Sequence, residues 1–310
     1  MEYVRFGRTE LRVSVMGLGC GGPSRIGQNT DRSEAESVAI IRTAIDAGVN
    51  FIDTSEAYRT EPLVGKALQH YDRDRLVIST KKSYHQGISA QSLRTGLERS
   101  LERLGTDYVD IYNLHAVRPD DYPMLQDTIL PVFAELREEG KLRYIGVTES
   151  FNEDPGHRML TNSLPDNLWD VVMVGFNILN QSAREQLFAR TQAQDVAVQV
   201  MFAVRRAFSQ TASLIASLRT LVDKEQLDPN DIDWENPLGF VLEESDAKTL
   251  TDAAYRFCRH ELGVHVVLSG TGNPTHLREN IASLERPPLP ESVLEKLRTI
   301  FRSADSVTGQ

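Results

Sequence analysis

The chain has 310 residues, of which 40% are hydrophobic and 25% charged, and this composition is typical of an ordinary globular protein. Its 34 basic and 44 acidic side chains give a formal net charge of −10, which argues against a nucleic-acid partner or an anionic membrane surface. No apolar run approaches the roughly 18 residues of a membrane span, and the N-terminus lacks a signal-peptide apolar region. Cys20 and Cys258 form no metal-ligand or disulfide framework, so we expect a reduced, cytoplasmic protein.

The N-terminal segment predicts a hairpin followed by a buried strand. Residues 4–14 contain a turn between two alternating segments, and we expect this hairpin to plug one end of the fold. Residues 15–20 read as the first buried strand. Gly21 and Gly22 follow it, and glycines in such a loop permit close backbone approach to a ligand.

Beyond residue 30, predicted helices and strands alternate. Ser33 and Glu36 form a capping box ahead of the first helix, which Gly48 ends. The clearest helix has Ser89 as N-cap, Gly105 at its end and a leucine stripe between them. Other predicted helices cover residues 61–71, 131–139, 183–193, 212–221, 249–262, 274–284 and 291–301. Predicted strands end near residues 20, 53, 81, 115, 148, 176, 202 and 270.

Eight strands, each followed by a helix and with no break in composition, favour one (β/α)8 TIM barrel over a doubly wound sheet. We expect residues 1–310 to form this one domain. Residues 151–169 read as a polar insertion. The connection after strand seven, residues 203–246, is much longer than an ordinary loop, and its apolar content favours a lid over a disordered segment.

Polar side chains follow several of these strands, at the carboxyl-terminal rim where barrel active sites lie. Asp53 ends the second strand and Tyr58 lies on the loop above it, whereas Lys81 and His115 end the next two strands. A phenol, with a pKa of about 10, exchanges protons poorly at neutral pH unless a cation such as Lys81 favours its phenolate. Asp53 would hold that ammonium, and His115 would orient a carbonyl oxygen. Hydride must come from a cofactor, because no side chain can supply it.

The motifs around these residues resemble those of the aldo-keto reductases, in the same order along residues 4–284. They are FIDTSEAY at 51–58, VGKAL at 64–68, ISTK at 78–81, LH at 114–115, IGVT at 145–148, GTGNP at 270–274 and EN at 279–280. The resemblance implies an NAD(P)H-dependent reductase of small aldehydes or ketones that binds its cofactor without a Rossmann motif. It makes Tyr58 the general acid, Lys81 and Asp53 its tuning pair, and His115 the carbonyl orienter.

The chain departs from the family at expected cofactor contacts. Thr148 and Glu149 replace a Ser-Asn pair, Met173 replaces a glutamine, and Met201, beside Phe202, replaces a stacking aromatic. Basic residues that would take a 2′-phosphate are reduced to His276 and Arg278, although Arg205 and Arg206 on the predicted lid could reach one. NADP(H) is favoured and NAD(H) remains possible. The predicted cofactor-binding residues are Gly19, Cys20, Gly21, Thr148, Glu149, Met173, Met201, Phe202, Arg205, Gly270, Thr271, Gly272, His276, Glu279 and Asn280.

Three functional hypotheses remain open. The first is carbonyl reduction with a proton from Tyr58. The second is an NAD-linked sugar or alcohol dehydrogenase, which a weakened 2′-phosphate site would suit. The third is a non-catalytic, cofactor-sensing regulatory subunit, which the retention of all four rim residues disfavours. His157 belongs to no motif and reads as a surface or packing residue. The physiological substrate and the oligomeric state cannot be deduced from the sequence.

Overall fold

A computed structural model describes residues 1–83 and 88–310 as a closed barrel of eight parallel strands with an N-terminal hairpin. The hairpin pairs β1 (Tyr3–Arg5) with β2 (Arg12–Ser14) in antiparallel register. The barrel strands are β3 (Met16–Gly19), β4 (Phe51–Asp53), β5 (Val77–Ser83), β6 (Val109–Val117), β7 (Leu142–Glu149), β8 (Val171–Gly175), β9 (Ala197–Met201) and β10 (Val266–Ser269). Each strand pairs with the next along the chain, and β10 closes the barrel on β3. The predicted barrel is therefore confirmed.

Helices follow the strands on the outside of the barrel. They are α1 (Glu34–Asp46), α2 (Glu61–Leu68), α3 (Ala90–Leu104), α4 (Tyr122–Glu138), α5 (Arg158–Ser163), α6 (Ala189–Ala193), α7 (Thr211–Asp223), α8 (Gly239–Glu243), α9 (Leu250–Arg259), α10 (Pro274–Leu284) and α11 (Glu291–Ile300). The predicted capping box opens α1, where the Ser33 hydroxyl accepts the Glu36 N–H and the Glu36 carboxylate accepts the Ser33 N–H. Gly105 ends α3 in the left-handed region at a φ of 65°.

Two predicted helices differ from those observed. The helix predicted at 131–139 begins nine residues earlier, because Pro123 occupies its first turn and Pro131 lies in its interior. Proline is favoured at the start of a helix, so Pro131 was wrongly predicted to be the first residue of this helix. The helix predicted at 183–193 is divided into a π-helical turn, Arg184–Phe188, and the short α6.

The hairpin covers the amino-terminal end of the barrel, as predicted. Phe6 and Val13 are fully buried there, against residues at or near the start of the strands. The strand residues in this cluster are Phe51, Val77, Ile111, Val171, Ala197 and Val266. Burial of a phenylalanine side chain contributes roughly 1.5–3 kcal/mol, so this contact closes the lower end firmly. The opposite, carboxyl-terminal end is left to carry the site.

The long connection after β9 is folded and packs against the end of the chain. Leu214, Leu218 and Leu221 of α7 are buried, which agrees with the apolar content noted in the sequence. The Ala207 N–H donates to the Gly309 carbonyl at 3.0 Å, which fastens the connection to the C-terminal segment. Within the described ranges, none of the helices combines the length and apolar character needed to cross a bilayer.

Candidate active site

The four predicted catalytic residues come together at the carboxyl-terminal end of the barrel. Asp53 ends β4, Lys81 and His115 lie near the ends of β5 and β6, and Tyr58 lies in a 3-10 turn just after β4. These three strands are neighbours in parallel register, so their ends meet at one edge. The hydroxyl oxygen of Tyr58 lies 3.2 Å from His115 Nε2, within hydrogen-bond distance.

Asp53 and Lys81 form a buried ion pair beneath the tyrosine. Lys81 Nζ donates to Asp53 Oδ2 at 2.5 Å and to the Thr54 carbonyl at 2.8 Å, and its side chain is fully buried. Ser79 donates to the other carboxylate oxygen at 2.9 Å. Burial raises the pKa of Asp53, and the ammonium of Lys81 opposes that rise. The ammonium of Lys81 and the carboxylate of Asp53 therefore stabilise each other's charge in a buried site of low dielectric constant.

Tyr58 is fixed between the lysine, the histidine and the loop after β3. Lys81 Nζ lies 5.3 Å from the centroid of its ring, and the His115 ring meets it edge-on with centroids 5.4 Å apart. A Cβ on Gly21 would lie 2.6 Å from a ring carbon, so only glycine fits there. Burial raises the pKa of the Tyr58 hydroxyl strongly and Asp53 adds to this, whereas Arg25 opposes it. The role of Lys81 in favouring the phenolate remains a prediction.

His115 is oriented by a hydroxyl and by a local irregularity of β6. Ser55 Oγ lies 3.2 Å from His115 Nδ1 and therefore holds the ring nitrogen opposite the one that faces the tyrosine. The pairing of β6 with β7 shifts register between Leu114 and Val117, and Ala116 adopts a φ of 56°. The Ala116 N–H freed by this bulge donates to Thr148 Oγ1 at 2.6 Å. Such bulges re-aim side chains at barrel rims, and here the bulge places His115.

Glu149, a predicted cofactor contact, has partners inside the protein. Its carboxylate accepts the Gly175 N–H at 2.7 Å and lies 2.9 Å from His157 Nδ1, with both side chains fully buried. Burial raises the pKa of Glu149, and His157 opposes the rise. His157 is thus a packing residue, as the sequence indicated, and its ring nitrogen lies within hydrogen-bond distance of the buried Glu149 carboxylate. Contact between Glu149 and a nicotinamide remains a prediction.

An aromatic and sulfur-rich layer lies above β8 and β9. Phe151 stacks on His157 with centroids 5.5 Å apart and on Phe202 at 6.2 Å, and it packs with Met173 and Met201. A Cβ on Gly175 would lie 2.2 Å from the Phe151 ring, so the strand must carry glycine beneath it. The sequence analysis placed Met173, Met201 and Phe202 near a cofactor but did not single out Phe151.

Arg205 lies on this layer without a carboxylate partner among residues 1–83 and 88–310. Its guanidinium carbon is 3.6 Å from the Phe202 ring centroid, a close cation–π contact. Its Nη1 donates to Asn152 Oδ1 at 2.7 Å and to Thr308 Oγ1 at 2.8 Å, both neutral acceptors. Burial lowers the pKa of Arg205 to about 10. A half-buried cation that has only neutral acceptors is suited to an incoming anion.

Glycines form a close contact between the first and last barrel strands. A Cβ on Gly270 would lie 2.1 Å from the Gly19 carbonyl oxygen, and one on Gly272 would lie 2.7 Å from the Gly27 backbone. Cys20 is fully buried, and its N–H donates to the Asp53 carbonyl at 2.7 Å.

Thr271 and Asn280 bond locally, whereas His276 and Glu279 are exposed on α10. The Thr271 hydroxyl accepts the Asn273 N–H, and the Asn280 amide donates to the Ser269 hydroxyl at 2.9 Å. The exposed position of His276 and Glu279 leaves them open to solvent. Cofactor contact by any of these predicted residues remains a prediction.

Sequence reasoning missed two polar residues of this site, Ser55 and Ser79. Ser55 lies in the FIDTSEAY motif two residues after Asp53, and Ser79 lies in the ISTK motif two residues before Lys81. This closeness in sequence to two predicted catalytic residues was the signal that could have identified both serines.

Comparison with known proteins identifies the class to which this barrel belongs. Residues 16–302 match the family model described as "Aldo/keto reductase family". The chain therefore belongs to the aldo/keto reductase family of oxidoreductases, whose members catalyse NAD(P)H-dependent carbonyl reduction.

Relatives and solved structures agree with this assignment. The NADH-specific methylglyoxal reductase of Escherichia coli (strain K12) is 30% identical over 64% of this chain and 66% of its own length. L-Galactose dehydrogenase of Arabidopsis thaliana is 33% identical over 48% of each chain. The uncharacterized oxidoreductase YqkF of Bacillus subtilis (strain 168) is 24% identical over 96% of each. The chain thus spans slightly less than two thirds of the methylglyoxal reductase and about half of the galactose dehydrogenase.

Two aldo-keto reductase structures share the architecture along almost the whole chain. The thermostable aldo-keto reductase Tm1743 superposes with a TM-score of 0.72 at 26% identity, covering 97% of this chain and 100% of that one. An aldo-keto reductase of Bacillus halodurans superposes with a TM-score of 0.74 at 24% identity, covering 99% and 98%, and supports the fold alone.

Proposed function

We propose that this protein reduces an aldehyde or ketone with hydride from a nicotinamide dinucleotide and a proton from Tyr58. The observation that carries the proposal is the placement of the Tyr58 hydroxyl 3.2 Å from His115 Nε2, above the buried Lys81–Asp53 pair. A phenol is protonated at neutral pH, and burial raises the pKa of Tyr58 further, so its hydroxyl carries the proton that a developing alkoxide needs. His115 holds the same carbonyl oxygen by hydrogen bonding, and Lys81 offsets the charge that remains on the phenolate.

Residues on the far side of the rim fit a dinucleotide. Gly270 packs directly on the Gly19 carbonyl, so the ends of β3 and β10 lie close together at the rim where a dinucleotide would bind. The half-buried guanidinium of Arg205 would meet phosphate oxygens, and the Phe202 face beside it would meet a flat ring. When bound, the nicotinamide supplies the hydride that no side chain can provide. Exclusion of water by Phe151, Met173 and Met201 would strengthen the polar contacts made there.

The identity of the coenzyme is a separate part of the proposal. The sequence favours NADP(H), with Arg205 as a possible ligand for the 2′-phosphate. The relative from E. coli is named as NADH-specific, which supports NAD(H) instead. Titration of protein fluorescence with NADPH and with NADH tests this part directly. An NADPH preference would support the sequence expectation, and a strong NADH preference would overturn it.

The proton donor is tested by Tyr58→Phe, with Tyr112→Phe as the matched control. Tyr112 is a fully buried tyrosine in β6 that packs on Phe133. Loss of the donor should reduce carbonyl turnover by about 10²–10⁴-fold while dinucleotide affinity changes only a few-fold. The control should retain turnover. Turnover by Tyr58→Phe at the wild-type rate would remove Tyr58 from this role.

A dehydrogenase acting on sugars is the second candidate, supported by the relative named L-galactose dehydrogenase. Oxidation requires Tyr58 to accept a proton, which its raised pKa disfavours near neutrality. Initial rates in both directions on the same alcohol–carbonyl couple would separate the two candidates. Tight dinucleotide binding without turnover on any carbonyl or sugar would support a regulatory role. The cytoplasmic location remains a prediction.

A further inference from the structure

The interior of the barrel contains a buried glutamine without a hydrogen-bond partner in the described protein. Gln199 lies in β9 between Ala197, which packs in the hairpin cluster, and Met201, which packs in the aromatic and sulfur-rich layer. Because side chains alternate along a strand, Gln199 points into the barrel with these two neighbours. Its side chain is fully buried, and neither Nε2 nor Oε1 has a partner within residues 1–83 and 88–310. Burial of an amide without hydrogen bonds is costly, so a partner is expected at this position.

The register of the barrel places Gln199 in one layer with small side chains. Side chains inside such a barrel form layers to which alternate strands contribute, because ladder partners on successive strands are displaced by about one residue along the barrel axis. With that displacement, the observed pairs form a closed layer that consists of Gly17 of β3, Ser79 of β5, Gly146 of β7 and Gln199 of β9. The next layer toward the site consists of Asp53, Asn113, Met173 and Leu268.

Asn113 brings an unpaired acceptor to the layer that contains Gln199. A Cβ on Gly146 would lie 2.1 Å from Asn113 Oδ1, so this oxygen lies directly against the glycine backbone. Asn113 Oδ1 is buried and has no hydrogen-bond partner in the described ranges. Asn113 Nδ2 donates to Ser79 Oγ at 3.0 Å, and Ser79 Oγ donates to Asp53 Oδ1 at 2.9 Å. A chain of donors therefore runs from Asn113 to the carboxylate of Asp53.

We propose that internal water joins the Gln199 amide to Asn113 Oδ1 and that Gln199 is a positioning residue for Asp53. The inference rests on the proposed function, in which Asp53 anchors Lys81. Two glycines and a serine contribute little side-chain volume to the layer, and the amides of Gln199 and Asn113 supply the polar groups that buried water requires. Water would accept from Gln199 Nε2 and donate to Asn113 Oδ1. Every hydrogen bond of the completed chain then points toward the carboxylate, and the bonds of such a chain strengthen one another.

The stability of Gln199→Met tests the water-mediated contact without any need for turnover. Methionine keeps the length of the side chain and removes the amide. If water joins Gln199 to Asn113, this substitution leaves Asn113 Oδ1 without its partner and should lower the urea concentration at the midpoint of unfolding. If the amide has no partner, its removal should raise that midpoint instead, which would overturn the proposal.

A crystal structure of the wild-type protein tests the same contact directly. Electron density should show ordered water within hydrogen-bond distance of both Gln199 Nε2 and Asn113 Oδ1. Well-defined density for the two amides with no water between them would also overturn the proposal.

Rates of carbonyl reduction, measured with benzaldehyde and glyceraldehyde, test the positioning role. Gln199→Met should lower kcat by roughly 3- to 10-fold, the effect of about one hydrogen bond, and should leave KM nearly unchanged. The reason is that Gln199 lies beneath the layer of Asp53 and acts through it. Gln181→Met is the control, since Gln181 is buried and its Nε2 donates to the Leu297 carbonyl of α11 at 3.1 Å. The control should lower the urea midpoint without lowering kcat.

A double-variant cycle with Ser79→Ala separates positioning from a general structural effect. Ser79→Ala removes the last link of the chain before Asp53. In that background, Gln199→Met should lower kcat by less than about 2-fold, because the connection to Asp53 is already broken. An equal effect of Gln199→Met in both backgrounds would exclude the positioning role. Absence of turnover by wild type on both aldehydes would count against the proposed function, whereas the urea midpoints and the crystal structure would still decide the water-mediated contact.

Discussion

Replacement of Lys81 by methionine should lower the free energy of unfolding, because the buried carboxylate of Asp53 then has no cation beside it. Lys81 is fully buried, and its ammonium contacts Asp53 Oδ2 at 2.5 Å and the Thr54 carbonyl at 2.8 Å. Methionine fills much of the same volume but leaves the carboxylate with the Ser79 hydroxyl as its remaining side-chain donor. Breaking a buried pair from one side leaves an uncompensated charge, at a cost of about 3–5 kcal/mol.

The magnitude follows from burial rather than from distance. Lys66 pairs with Glu34 at the same Nζ–O distance of 2.5 Å, but these side chains are 49% and 62% exposed. Solvent screens such a pair, so Lys66→Met should reduce the free energy of unfolding by about 0–1 kcal/mol. Lys81→Met and Lys66→Met therefore compare one geometry in two environments. Urea unfolding monitored by circular dichroism at pH 7 measures both.

The deficit of Lys81→Met should shrink as the pH falls. Loss of the ammonium removes a group that lowers the pKa of Asp53, so the raised pKa rises further. The folded state then binds more protons than the unfolded state above the unfolded pKa of about 3.9, and stability decreases as pH increases. The variant should thus lie closer to wild type at pH 5 than at pH 8.

A double variant tests the same reasoning from the other side. Asp53→Asn combined with Lys81→Met removes the charge that the single variant leaves behind. It should recover more than about half of the lost stability. A single variant that loses less than about 1 kcal/mol, or a double variant that is no more stable than the single one, would refute the account of a compensated buried pair.

Two further predictions concern the proton donor and the aromatic layer. Because burial raises the pKa of Tyr58, the rate of reduction should not fall through ionisation of Tyr58 below about pH 9, whereas the rate of alcohol oxidation should keep increasing with pH. Rate profiles of kcat in both directions measure this, and an oxidation rate that levels off near pH 7 would contradict it. Gly175→Ala would force its Cβ to within 2.2 Å of the Phe151 ring, and such overpacking should cost about 1–3 kcal/mol. Gly156→Ala, whose Cβ would meet no atom within 4 Å, is the control in the same urea assay.

Features that depend on local sequence were the ones that sequence analysis predicted well. The Ser33 capping box and the Gly105 helix end are set by groups within a few residues, and both were found as expected. Alternation of strands and helices also led to the barrel. Once the strands are parallel and in sequence order, Asp53, Lys81 and His115 must share one rim. Here sequence spacing and barrel geometry carry the same information.

Helix boundaries at prolines were less predictable. Pro131 lies inside α4, although the pattern placed the helix start there. The cost of an interior proline can be offset by the packing of a whole helix face, and Ile129, Val132 and Phe133 bury that face. The relevant energy comes from contacts with other parts of the chain, so a local pattern does not contain it.

The tertiary structure decided which side chains form hydrogen bonds with one another across the barrel. The amino acids at Thr148 and Glu149 could be read from the sequence, but the β6 bulge and the burial of His157 decide which hydrogen bonds they make. The burial of Tyr58 likewise comes from many packed segments, and it raises the pKa of the Tyr58 hydroxyl. Residue types and their order therefore established the kind of chemistry. Burial and long-range contacts established the electrostatic surroundings of the phenol and brought His157 to the carboxylate of Glu149.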